Sequence, residues 1–202
     1  VPAPADRFPQ EPLQREARRE EVVRDVPATQ VTVALHMGGR LSPDYYCCDV
    51  MTDLLAGGTS ARLYRELVKR RHLFSAVNAY ITGDIDPGLF ILTGQLMPGV
   101  EVSEGEEALW GELERLCREP VADDELQKVR NKFEANMLYG EMNVMNKALN
   151  LAYYAMLGEL ELVNAELDHY RAVDAARIGE TARRLFRREG SSTLVIYGHH
   201  GK

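Results

Sequence analysis

Residues 60–94, SARLYRELVKRRHLFSAVNAYITGDIDPGLFILTG, constrain the fold more than any other part of the chain. The run opens as an amphipathic helix carrying Leu63, Leu67 and Val68. It then passes a charged elbow, Lys69-Arg70-Arg71-His72, and continues as two strands, 73–82 and 89–96. Between the strands lies GDIDPG, 83–88, a cluster of turn formers that predicts an antiparallel hairpin.

The flanking periods extend this plan. Residues 21–26 and 30–37 predict a pair of strands around Pro27-Ala28, with Val31, Val33 and Leu35 alternating with Thr32, Ala34 and His36. Gly38-Gly39 break the second strand. Ser42-Pro43 predicts a helix start, with a hydroxyl cap and a first-turn proline. The stripe of that helix is Cys47, Val50, Met51, Leu54 and Leu55, and Gly57-Gly58 end it. Ser103 with Glu106 predicts a capping box for a third helix, whose core face is Leu109, Leu113, Leu116 and Cys117. Two long helices follow at 123–139 and 144–156, the first with Leu126, Val129, Phe133 and Met137 on one stripe. Asp174 caps a last helix bearing Ile178, Ala182, Leu185 and Phe186, and a buried strand at 193–197 closes the chain. This order of strands and helices specifies an α+β fold, a mostly antiparallel sheet packed on one face by helices.

The 202 residues suffice for one substantial domain, expected to bury roughly 70% of its unfolded surface. We place it at 21–198, after a Pro-rich and charged connector at 1–20 and before a short tail at 199–202. Prolines at 2, 4, 9 and 12 exclude regular helix from the connector, which suggests that another unit precedes it. A net charge of −7 argues against a nucleic-acid partner. No apolar stretch approaches the ~20 residues of a membrane span. Cys47, Cys48 and Cys117 make no disulfide framework and are assigned to packing.

In order and spacing, four segments together resemble the C-terminal, non-zinc domain of the insulinase/pitrilysin-type zinc peptidases, or inverzincins, in their bacterial short-chain subfamily. They are GGTSARLYRELVKRRHLFSAVNAY, DPGLFILTG, VADDELQKVRNKFEANML and YRAVDAARIGETARRLFRREGSSTLVIYG. The resemblance spans residues 30–198. It implies a processing-peptidase-like α+β domain of a bacterial protein, cytoplasmic or periplasmic. It implies zinc in an N-terminal half or a partner subunit, a peptide substrate, and pairing of two halves or two chains.

The chemistry of that family needs H-x-x-E-H on one helix, two histidines on zinc and a glutamate activating its water. No such motif occurs among His36, His72, His169, His199 and His200. The nearest approximation, Glu166-Leu167-Asp168-His169, lacks the second histidine and is assigned to an exposed helix terminus. We therefore expect no metal ligand, no catalytic residue and no cofactor in this chain. Many relatives supply an arginine and a tyrosine seven residues apart to the substrate; the matching positions here hold Val68 and Ser75. Arg65 and His72 share the spacing but not the register.

Bland readings are favoured elsewhere: a tight turn for Gly57-Gly58-Thr59-Ser60, a solvated helix end for Lys69-Arg70-Arg71, and a helix N-terminus for Asp123-Asp124-Glu125. The expected function is the substrate-enclosing half of a zinc-dependent metallopeptidase, inactive alone. The alternatives are a non-catalytic companion or structural subunit of a heterodimer, and an unrelated α+β binding domain.

Overall fold

A computed structural model describes residues 11–198; the expected tail at 199–202 lies outside the described residues. Five strands form one sheet in the order β1-β5-β2-β4-β3: β1 Arg18–Val23, β2 Gln30–Met37, β3 Phe74–Ile81, β4 Gly88–Leu96 and β5 Ser191–Tyr197. Three ladders are antiparallel, and only β1 with β5 is parallel. The α-helices are α1 Tyr45–Ala56, α2 Val102–Arg118, α3 Asp123–Glu141, α4 Val144–Leu157, α5 Leu162–Arg171 and α6 Ala175–Leu185.

The period-two alternation of β2 and β4 explains why helices cover one face. Val33 pairs with Leu92 and Leu35 with Phe90, all buried. The intervening pairs Thr32–Thr93 and Ala34–Ile91 point the other way and are half-buried. Against the buried rows pack Leu54, Leu55, Leu109, Leu113, Ile178 and Ala182, forming one continuous core.

Several local expectations give way to tertiary context. The strand pairing expected across Pro27-Ala28 does not form: β1 begins at Arg18, within the stretch assigned to a connector, and β5 lies between it and β2. The Ser103–Glu106 capping box is absent too; Glu101 is the N-cap of α2 without a side-chain bond, and Glu106 accepts from Arg19 of β1 at 2.5 Å. The first helix starts at Tyr45 rather than at Ser42-Pro43, whose residues form turns. The helix terminus expected at Glu166-Leu167-Asp168-His169 is the second half of a 10-residue helix, α5. The Asp174 cap does form, its carboxylate accepting from the Arg177 N–H at 2.8 Å.

The helix of the opening run is a π-helix, Tyr64–Arg70. Its last turn is closed by Arg71 N–H to the Glu66 carbonyl and Leu73 N–H to the Leu67 carbonyl, both 2.9 Å. His72 then turns the chain through the left-handed region, with φ 54°, so that Leu73 and Phe74 enter the core. The charged elbow is thus a helix stop of non-glycine residues, with Arg70 held by Glu66 at 2.7 Å.

Candidate functional site

Val68 lies on the π-helix, half-buried and packed against the core, so it offers nothing to solvent chemistry. Ser75 is the extra residue of a bulge in β3: Phe74 pairs with Leu96 and Ala76 already with Gln95. The bulge leaves Ser75 exposed, its hydroxyl donating to the Gln95 carbonyl at 3.2 Å. Arg65 and His72 are both exposed. Asp123, Asp124 and Glu125 occupy the first turn of α3. Glu125 is in turn gripped by buried Arg62, Nε to Oε1 at 2.8 Å and Nη2 to Oε2 at 2.7 Å, tying that helix start to the turn after α1. Cys47 and Cys48 are buried free thiols and Cys117 is half-buried. Burial raises all three thiol pKa values, Cys48 to about 12, which keeps them protonated and inert.

The most perturbed polar cluster was not among the expected sites. It gathers on Arg40, only 4% exposed. Gly39 sets that residue in place, because its backbone lies against the hairpin loop: a Cβ there would stand 2.2 Å from the Ile85 carbonyl oxygen. The Arg40 N–H then donates to the Asp84 carbonyl at 2.9 Å. The guanidinium sits among three tyrosines, its Cζ 4.4 Å from the ring centre of Tyr45, 5.0 Å from Tyr46 and 5.7 Å from Tyr154. Its Nη2 pairs with Glu166 of α5 and reaches the Tyr154 hydroxyl at 3.4 Å.

A second buried acid, Asp49 of α1, accepts from the Tyr170 hydroxyl at 2.6 Å. Burial raises the pKa of Asp49 and of Glu166; the Tyr170 hydrogen bond opposes it at Asp49, and the Arg40 charge opposes it at both. Tyr45 is pushed up to about 12, again chiefly by burial. His169 stacks on Tyr46 with centroids 4.8 Å apart. Glu166 is therefore not the solvated helix end expected of it. It is the counter-ion of a buried cation 126 residues away in sequence.

This arrangement does not fit zinc. Glu166 is committed to Arg40, His169 is committed to a ring stack, and among the described residues no second histidine joins them. Among the described residues no group of three or more His, Cys, Asp or Glu is placed to hold a metal ion. No helix among them is long and apolar enough to cross a membrane.

The described residues thus form an α+β layered domain in which no metal set is assembled. Residues 1–133 match the model of the Peptidase M16 inactive domain, and the chain belongs to that family. It is 24% identical over 152 residues to an uncharacterized zinc protease of Rickettsia bellii, covering 74% of this chain and 36% of that protein. Its fold superposes on a protease from Helicobacter pylori with a TM-score of 0.88 at 21% identity, over 97% of this chain and 48% of that one. It also superposes on an inactive peptidase domain from Bordetella parapertussis with a TM-score of 0.77 at 24% identity, over 86% and 92% of the two chains. The chain thus spans about a third of the length of the curated relative and about half of the Helicobacter protein.

Proposed function

We propose that this chain is the non-zinc half of a zinc-dependent peptidase, walling a chamber whose catalytic zinc is held by another domain or subunit. The observation that carries this reading is the match to a family of inactive peptidase domains. On this reading Val68 and Ser75, one packed and one hydrogen-bonded to its own sheet, leave the domain without an arginine–tyrosine contact to substrate. Its contribution is exclusion of bulk water and selection of polypeptides by size.

Helix α4 supports a domain that works against another surface. Val144, Met145, Leu149 and Met156 are all exposed, and Tyr139 and Met142 at the end of α3 continue the apolar face. The test is zinc content and cleavage of a labelled unfolded casein, measured for this chain alone, for a half carrying H-x-x-E-H, and for the two mixed. We expect no zinc and no cleavage from this chain alone, and faster cleavage by the mixture than by the zinc half. Cleavage by this chain alone with stoichiometric zinc overturns the proposal. A stable mixed complex with unchanged activity favours a companion or structural subunit instead.

A further inference from the structure

Three buried polar atoms without a hydrogen bond of ordinary geometry belong to one cavity: Arg40 Nη1, Ser42 Oγ and the Tyr46 hydroxyl. The cavity, about 240 Å³, opens between the loop 38–44, α1 and α5. Arg177 and His169 complete its polar side, while Leu41, Pro43 and Leu162 make the other side apolar. The Arg40 guanidinium and the Tyr46 hydroxyl interact, but Arg40 is only 4% exposed and its Nη1 makes no hydrogen bond of ordinary geometry, which is costly for a buried donor. The Arg177 guanidinium donates to the Pro43 carbonyl rather than to a carboxylate, so its charge adds to the wall.

The chemistry of the occupant follows from this lining. Arg40 Nη1 can only donate, and the Ser42 and Tyr46 hydroxyls can donate as well, so an accepting occupant satisfies all three. A single water, with a share of about 30 Å³, fills only a fraction of the space and gains nothing from the apolar side. The charged groups lining the wall are Arg40 and Arg177, with Glu166, paired to Arg40, and Asp49 behind them. Those two carboxylates weigh against a dianion more than against a single negative charge. A planar carboxylate also suits a guanidinium flanked by hydroxyls.

We propose that this cavity binds a monocarboxylate carrying an aliphatic group. Arg40 Nη1, Arg177 and the Ser42 and Tyr46 hydroxyls take the carboxylate, and Leu41 and Leu162 take the aliphatic part. A free acid and the C-terminal residue of a peptide share this chemistry. The site does not depend on the peptidase reading.

The test titrates the full chain with N-acetyl-L-leucine, N-acetyl-L-leucinamide, isovalerate and inorganic phosphate, following leucine methyl resonances. Both carboxylates are expected to saturate, with the amide weaker by about tenfold or more and phosphate weaker than either. Tighter binding of N-acetyl-L-leucine than of isovalerate identifies a peptide C-terminus as the source; the reverse or equality identifies a free acid. Ser42→Ala and Arg177→Gln should each weaken binding by about three- to tenfold. The Ser42→Ala unfolding midpoint should not fall, because the hydroxyl it removes is unpaired; a purely structural serine would lower it. The proposal is overturned by lack of saturation, by an amide that binds as well as the acid, by phosphate binding most tightly, or by both variants binding like the parent.

Discussion

Replacing Glu166 with leucine removes the anion paired with Arg40 and leaves a guanidinium that is 4% exposed beside a side chain only 16% exposed in the parent. At such depth the pair is hardly screened, and the lost partner is felt as an unpaired buried charge. Breaking one side of such a pair costs about 3–5 kcal/mol. Asp49 remains near enough to feel Arg40, which places the expected loss toward the lower end, about 3 kcal/mol. With a urea m-value of about 2 kcal/mol/M, the unfolding midpoint falls by about 1.5 M. Removing both charges, Arg40→Met with Glu166→Leu, leaves an apolar contact among Tyr45, Tyr46 and Tyr154 and should cost only about 1 kcal/mol. The cycle then closes with a coupling of more than about 2 kcal/mol. The assay is urea unfolding followed by tryptophan fluorescence and circular dichroism on all four proteins. A single-variant shift below about 0.5 M at unchanged m, or additivity across the cycle, refutes the buried-pair argument.

Gly94→Ala places a Cβ 2.5 Å from Phe74 Cε1, against a ring that is 1% exposed and hemmed by Gly105. We expect a loss of about 1–3 kcal/mol in thermal unfolding, partly recovered by Phe74→Leu in the same chain. Asp49→Asn tests the raised carboxylate pKa. The folded state holds the Asp49 proton more tightly than the unfolded state, so its stabilisation is full at low pH. It is lost as pH rises from the ordinary carboxylate value through the raised one. The asparagine variant should therefore gain on the parent as pH rises above the ordinary carboxylate range of about 4 in urea unfolding; a relative loss on that side refutes the sign. Finally, EDTA should leave the thermal midpoint of this chain unchanged, since the described residues assemble no metal set; a drop on chelation would reveal a structural ion.

Elements whose apolar period is long and locally consistent were legible from residues alone: β2, the β3–β4 hairpin, α2, α3 and the Asp174 cap. What failed were inferences resting on a single short signal. The Ser103–Glu106 pattern is a sound local cap, yet Glu106 gains more from Arg19 of a neighbouring strand. The first strand reads as a partner of the second because they are adjacent in sequence; β5, nearly the whole chain away, intervenes, setting buried Val195 opposite buried Val31 of β2. Helix α5 is only 10 residues long and has no side-chain cap at Glu161, so no start signal marks it.

Sequence by itself determined the α+β class and the family, which rest on the order and spacing of segments along the chain, and the absence of an H-x-x-E-H motif, which rests on residue type at short spacing. It also specified valine and serine at positions 68 and 75. Tertiary structure alone decided that Val68 packs inward, that a bulge turns Ser75 out, and that Arg40, Asp49, Tyr154 and Glu166 share one buried cluster. The physical reason is that a buried charge is tolerable only where distant segments deliver its partners together. No spacing along the chain encodes that meeting.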